Sequence, residues 1–391
     1  MFEAIDLLDG ELYGGDPEPV YRHLRRDAPV YRDEANGLWG ISRYDDVVHI
    51  ERHPELFCSS EGYRPNIPTD PSMIGQDDPR HLLQRRVFNS RLTPRRVVDL
   101  EPRIRQTVVG LIDAIAGTGR ADVIRDIAVP LPVRTVIELI GFDPGEWPIF
   151  ARISETTNAA GGGPKYMNDD VMACVTDWFD RARDLLETRR GTPAGDAMSL
   201  MLSAHVEGLL ERSDDEMILE ALLLLNGGSD TTRHVIGGAT LALLDHPEQL
   251  ELLRDEPERL PVAVEEFIRW VTPILNMRRT ATQDTEIAGV PIAKGDQLLL
   301  MFSSANRDET KFDHPERFDV TRDPNPHLAF GLGTHFCLGA SLARLELRIT
   351  FEEMLGRLSK LRRATTEAPP MVKNAFVRGL ESLPIEFERV V

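Results

Sequence analysis

Apolar positions recur at helical spacing along most of the chain, and only short stretches alternate as strands do. Helical stripes run over 17–26, 44–52, 97–115, 132–140, 172–189, 260–269 and 340–358, each with a face that a core would cover. Val30-Tyr31-Arg32 and Leu38-Trp39-Gly40-Ile41 flank Asn36-Gly37 and read as a hairpin. Strand-like pieces follow at 285–288 and 297–302, with Gly289 and Gly295 as turns. Residues 59–76 carry Gly62, Pro65, Pro68, Pro71 and Gly75 and cannot hold a long helix. Structureless segments longer than about 12–15 residues are usually functional or disordered. Residues 158–164, with Gly161, Gly162 and Gly163 in a row, read as a flexible connection.

The longest stripe opens at Ser213-Asp214-Asp215-Glu216, a capping box, and runs to Asp245 before His246-Pro247. At about 1.5 Å per residue, its roughly 32 residues would span about 48 Å. Its centre, Asn226-Gly227-Gly228-Ser229-Asp230-Thr231-Thr232, is poor helix. Two interior glycines cost about 2 kcal/mol relative to alanine. Weak helix formers in the middle of the strongest helix point to a functional concession. The fold class is therefore mainly α (α+β), a long central helix with small sheets at one side. Length alone would suggest two or three domains. No linker, repeat or low-complexity tract divides the chain, so residues 1–391 are expected to form one unit.

Composition narrows the classes. A net charge of −19 excludes nucleic acid as the expected partner, because phosphate binding needs clustered Lys and Arg. No apolar run reaches the roughly 18–20 residues of a membrane span. The first residues lack the basic and apolar regions of a signal peptide. Three cysteines, Cys58, Cys174 and Cys337, suit a reducing cytoplasm. One stretch departs from the acidic balance. From Pro79 to Val98 there is no acid, while Arg80, Arg85, Arg86, Arg91, Arg95 and Arg96 are present. Such an island either steers an acidic partner or is a solvated face with internal ion pairs.

The most specific chemistry lies in Phe330-Gly331-Leu332-Gly333-Thr334-His335-Phe336-Cys337-Leu338-Gly339. Glycines let a flat ligand approach the main chain. They deliver one cysteine to the mouth of a helix, where unpaired N–H groups favour the thiolate. A lone buried cysteine is more often structural, and His335 with Cys337 lacks the further ligands that zinc requires. This spacing, however, resembles the haem-binding loop of the cytochrome P450 monooxygenases. Gly-Gly-x-Asp-Thr in the long helix and Glu-x-x-Arg before Pro-Glu-Arg-Phe are similar to that family's other motifs. The motifs stand in the same order along essentially the whole chain.

The resemblance implies haem b, with Cys337 as its axial ligand and Phe330, Gly331 and Gly339 shaping the loop around it. Thiolate ligation pushes electron density onto the iron and favours O–O cleavage. His81 and Arg85, four apart on one helix face, would meet a haem propionate, together with Arg279 and His335. Taken alone, His81 and Arg85 read as a surface pair. Asp230 is assigned to proton relay and Thr231 to hydrogen-bonding oxygen at the iron. Without the resemblance, the alternative for Thr231 is a threonine back-bonding to the preceding turn. Glu266, Arg269 and Arg317 would form a buried structural triad. Ile274, Leu275, Met277, Asn226, Gly227 and Phe376 would line the substrate pocket, under a cover formed by 59–76 and the segment near 158–168.

The implied activity is hydroxylation of a bulky hydrophobic small molecule by O2, with electrons from NAD(P)H. No flavin or iron–sulfur motif is fused to the chain, so a ferredoxin or flavodoxin and its reductase would supply them. The wording around Gly228 to His234 and Arg378 to Pro384 looks like actinobacterial sterol side-chain hydroxylases, so a sterol side chain is the first expected substrate. A polyketide, macrolide or other secondary metabolite is the alternative. A haem-thiolate isomerase, a peroxygenase or a ligand-binding protein is the alternative class. The implied address is cytoplasmic.

Overall fold

The computed structural model describes residues 4–389. Its axis is the helix Asp214–Asp245, 32 residues long. The Ser213 hydroxyl accepts from the Glu216 N–H, and the Glu216 carboxylate accepts from the Ser213 N–H at 2.8 Å. This closes the capping box, with three acids against the positive end of the helix. Helices Pro130–Ile140, Trp147–Ala159, Leu260–Val271 and Ala340–Arg357 pack around it. Its two central glycines differ in use. A Cβ on Gly228 would come 2.6 Å from a Val136 methyl, so glycine permits the close approach of Pro130–Ile140. Gly227 meets nothing within 4 Å and faces a cavity.

One apolar cluster joins Ile236, Ala239 and Leu243 of this axis to Val264, Phe267 and Phe351. A second joins Ile218, Ala221 and Leu225 to Ile140, Phe150 and Trp178. Trp178 is fully buried and its Nε1–H is satisfied by Ile218 O at 3.0 Å, as a buried indole requires. The hairpin forms as expected, with Val30 opposite Ile41 and Asp33 opposite Leu38, and Gly37 supplying φ +67°. It is one edge of a five-stranded sheet. The spatial order is Val30–Asp33, Leu38–Ile41, Gln297–Leu300, Met277–Ala281 and Phe57–Cys58. Two smaller sheets complete the β structure among the described residues.

Several boundaries shift. The stripe at 97–115 is two helices, Pro94–Val98 and Glu101–Ala116. The stripe at 172–189 lengthens to Asp169–Gly191 because the Asn168 side chain caps it, accepting from Val171 N at 3.0 Å. The strand at 297–302 stops at Leu300, and Phe302–Ala305 turns into a short helix. The expected flexible connection at 158–164 instead folds into short 3-10 turns at Ala160–Gly162 and Pro164–Tyr166. Asn374 Nδ2 holds its first turn by donating to Ala159 O at 2.8 Å.

The expected triad is corrected in one member. Glu266 and Arg269 are wholly buried and bidentate, both contacts at 2.7 Å. Arg269 also donates to Asn306 O at 2.9 Å and Pro315 O at 3.0 Å. Arg317 offers only its carbonyl, 3.3 Å from Arg269 Nη2, and its side chain is exposed. Phe318 takes the inward position among Phe267, Trp270 and His246, which turns the preceding side chain to water. The second guanidinium on Glu266 is that of Arg322, at 3.2 Å.

Stripping one partner from a buried ion pair costs about 3–5 kcal/mol, whereas an exposed substitution costs about 0.5 kcal/mol or less. Denaturant unfolding is therefore expected to rank Glu266→Ala as most damaging, Arg322→Ala next, and Arg317→Ala near wild type. A loss for Arg317→Ala equal to that for Arg322→Ala contradicts this network.

Candidate active site

The network anchors the stretch that carries the cysteine. Asn306 Oδ1 receives the Leu328 N–H at 2.6 Å, Gly331 N–H returns to Leu328 O at 2.9 Å, and Cys337 N–H to Phe330 O at 2.8 Å. Gly331 and Gly333 hold φ +65° and +68°. A Cβ on Gly333 would also lie 2.5 Å from Glu51 O, so both conformation and space demand glycine there. Helix Ala340–Arg357 begins three residues beyond the cysteine.

Cys337 sits on the wall of a cavity of about 620 Å³. Burial pushes its thiol up, although the N–H groups of Gly339 and Ala340 and the charges of Arg85 and Arg344 favour the thiolate. The N–H groups at the helix mouth thus favour the thiolate, but desolvation outweighs them. Ionisation then depends on a metal's charge, since a coordinated thiol is deprotonated outright.

The four expected propionate partners converge. The His81 and His335 rings lie 4.2 Å apart. His81 Nδ1 is engaged by Asp78 Oδ1 at 3.1 Å and Thr334 Oγ1 at 3.2 Å, while its buried Nε2 has no partner. Arg85 donates to Thr334 O at 3.5 Å and to Phe336 O. Arg279 is buried, 3.3 Å from Glu51. Burial, then the charges of Arg279, His81 and Arg85, drives His335 down to about 2. Glu51, the acid among them, is raised to about 7 by burial against the pull of Arg279. An orphaned buried imidazole nitrogen beside two guanidiniums, Arg85 and Arg279, and a single cysteine fits a flat cofactor bearing a metal and two carboxylates. Among the described residues, no group of three or more His, Cys, Asp or Glu could hold a metal ion by itself.

On the opposite wall the central helix presents Asn226, Gly227, Thr231 and Thr232 to the cavity. Thr231 Oγ1 donates to Gly227 O at 3.1 Å, the back-bond open to any helical threonine. Asp230 faces away from the cavity. Its carboxylate is buried against Trp147–Ala159, 3.0 Å from Asn158 Nδ2, 2.6 Å from Arg233 Nε and 3.8 Å from His234 Nε2. Burial raises its pKa, but Arg233, His234 and Asn158 overcome this and hold it down to about 2. Arg233 in turn reaches Glu155 at 3.4 Å, whose side chain is 58% exposed.

Ile274, Met277 and Phe376 line the cavity as expected. Leu275 does not. Its N–H bonds Phe376 O at 2.9 Å and its side chain is buried with Leu7, Tyr13 and Tyr21, because extended neighbours point to opposite faces. Charged lining residues with no motif to announce them include Glu51 and Arg64. Glu51 lies in an ordinary amphipathic helix. Arg64 is a lone cation in the 59–76 loop, its guanidinium 3.2 Å above the Phe376 ring.

Asp230→Asn strands the buried Arg233 and is expected to cost several kcal/mol at neutral pH. The native carboxylate is held below its unfolded value near 3.8. Its contribution is therefore complete above about pH 4 and fades as pH falls toward about 2. Unfolding free energies of wild type and Asp230→Asn should converge over that window; a constant gap would contradict the pairing.

Comparison with known proteins gives the same outline. A family model described as Cytochrome P450 matches residues 164–387. A steroid C26-monooxygenase of Mycobacterium tuberculosis is 42% identical over 394 residues, covering 99% of this chain and 98% of that protein. A linalool 8-monooxygenase of Pseudomonas putida is 33% identical over 98% of both. Among solved structures, a Mycobacterium marinum cytochrome P450 in complex with pseudoionone superposes with TM-score 0.90 at 31% identity, covering 99% of each chain. A Bacillus megaterium structure in complex with testosterone gives 0.89 at 28% identity, over 96% of this chain and 99% of that one.

Proposed function

The chain belongs to the cytochrome P450 family, whose members hold haem b, and from that premise we propose a monooxygenase that hydroxylates a steroid or similarly bulky apolar molecule. The observation that carries this reading is Cys337 on the wall of a large, mostly apolar cavity, beside His81, Arg85, Arg279 and His335. The sterol reading is supported by the relative at 42% identity and by the testosterone-bound structure.

When bound, the haem supplies oxygen activation at a thiolate-ligated iron. The chain's own contribution divides by wall. Cys337 Sγ ligates, with the N–H groups of Gly339 and Ala340 directed at it. His81 Nε2, Arg85, Arg279 and His335 would hold the propionates. Apolar walls including Ile274, Met277 and Phe376 exclude water and hold the substrate. Thr231 Oγ1 offers a hydroxyl at the cavity surface. Asp230, next to Thr231 in the helix, is assigned to proton relay; Arg233, which stays protonated, only fixes its carboxylate and lies 3.4 Å from the exposed Glu155.

Electrons come from a separate ferredoxin or flavodoxin and its NAD(P)H reductase, in the cytoplasm. No helix among the described residues is long and apolar enough to cross a membrane. The docking face is the exposed group Arg86, Arg91, Arg95 and Arg96, continuous through Arg85 with the cysteine loop. Arg80 is drawn off by a close pair with Glu216, whereas Arg96 has only a looser contact with the exposed Asp99 at 3.8 Å.

Turnover of a sterol panel with ferredoxin, reductase and NADPH under ¹⁸O₂ tests both halves. One labelled oxygen is expected in a hydroxylated product, and product without label contradicts the reading. In the same assay Arg95→Ala with Arg96→Ala should slow low-salt turnover about tenfold and flatten its salt dependence. Unchanged kinetics would remove the arginine face as the docking site.

A further inference from the structure

The Arg64 guanidinium lies inside the cavity with no carboxylate in direct contact. Its Nη1 touches the Met277 sulfur at 2.9 Å, and its carbon stacks 3.2 Å over Phe376 and 5.0 Å from Tyr63. No carboxylate among the described residues forms an ion pair with it. The acid nearby, Asp70, is engaged by the Tyr63 hydroxyl and by Ser72 N at 2.9 Å. Burial pulls the guanidinium down to about 9, against the opposing pull of Tyr63 and Asp70 and with a smaller push from Arg279.

Its position is built in. Arg278 N–H donates to Tyr63 O at 3.0 Å, and the Arg278 side chain donates to Arg64 O at 3.3 Å and Glu61 O at 2.9 Å, which pins the loop. Gly161 leaves the room for the stack, since a Cβ there would come 2.8 Å from Phe376 and 3.0 Å from Arg64 Nε. A fixed, unpaired, desolvated cation is costly unless something pairs with it. The four donors beside Cys337 would hold the cofactor's two carboxylates, which leaves Arg64 for the other occupant of the cavity.

We propose that Arg64 receives a carboxylate of the substrate, so that the enzyme's ligand is a bulky apolar acid, for instance a steroid whose side chain ends in a carboxyl group. This rests on the haem-thiolate reading above. A guanidinium grips a carboxylate bidentately, while the aromatic and thioether groups beneath it hold the apolar body.

The test is spectral titration of the haem-loaded protein with 5β-cholan-24-oic acid, hexadecanoic acid and the methyl ester of each. Wild type should bind at least one acid about tenfold more tightly than its ester. Arg64→Gln should abolish that preference at unchanged haem content, and Arg64→Lys should retain part of it. Esters that match or exceed their acids overturn the proposal, as does failure of both acids to bind. Haem lost from Arg64→Gln, with the acid preference intact in what remains loaded, would assign Arg64 to the cofactor. If wild type takes up no haem at all, the family reading fails instead, a separate outcome.

Discussion

Glu266 and Arg269 have no exposed surface, yet each is fully paired, and the rest of the site depends on that pair. Arg269 spends its remaining donors on the carbonyls of Asn306, Pro315 and Arg317. Glu266 accepts from Asp319 N at 2.9 Å and Asn325 Nδ2 at 3.0 Å. A loop without regular structure is thereby tied to a helix, and through Asn306 and Leu328 the tie extends to the cysteine stretch. Buried ion pairs are weak evidence for net stability. Here the return is geometric, because Cys337 is positioned by backbone bonds that start from this pair.

The same physics governs the cavity. Around Cys337 the chain gathers two guanidiniums, Arg85 and Arg279, with one carboxylate, Glu51, and leaves His81 Nε2 orphaned. Such an arrangement is stable only with a partner of opposite charge. The central helix makes a parallel concession, with Gly228 allowing a neighbouring helix to close in and Gly227 leaving room beside Thr231. Asp230 and Thr231 are placed differently on that helix, Asp230 paired with Arg233 toward Glu155 and Thr231 on the cavity wall.

Much of this was legible in the sequence. The capping box, the hairpin glycine, the long helix and the glycine-flanked cysteine are local signals, and local signals survive folding. What escaped was tertiary. Arg317 looked like the network's third member because it adjoins Phe318, and that neighbour's burial is what excludes it. Leu275 was placed in the cavity wall with Ile274, although alternation sends one of two adjacent extended residues elsewhere. The direction of Asp230 and the isolation of Arg64 depend on which carboxylates and amides arrive from distant segments. The thiol's raised pKa reflects the depth of the cavity, which no loop motif encodes.

The central claim is that Cys337 is the sulfur ligand of a haem held by the cations around it. Its most direct test is the absorption spectrum of the purified protein, reduced and exposed to carbon monoxide. A strongly red-shifted Soret band that disappears in Cys337→His is the expected result. A spectrum typical of histidine ligation in the wild-type protein, or no haem at all, would contradict the account.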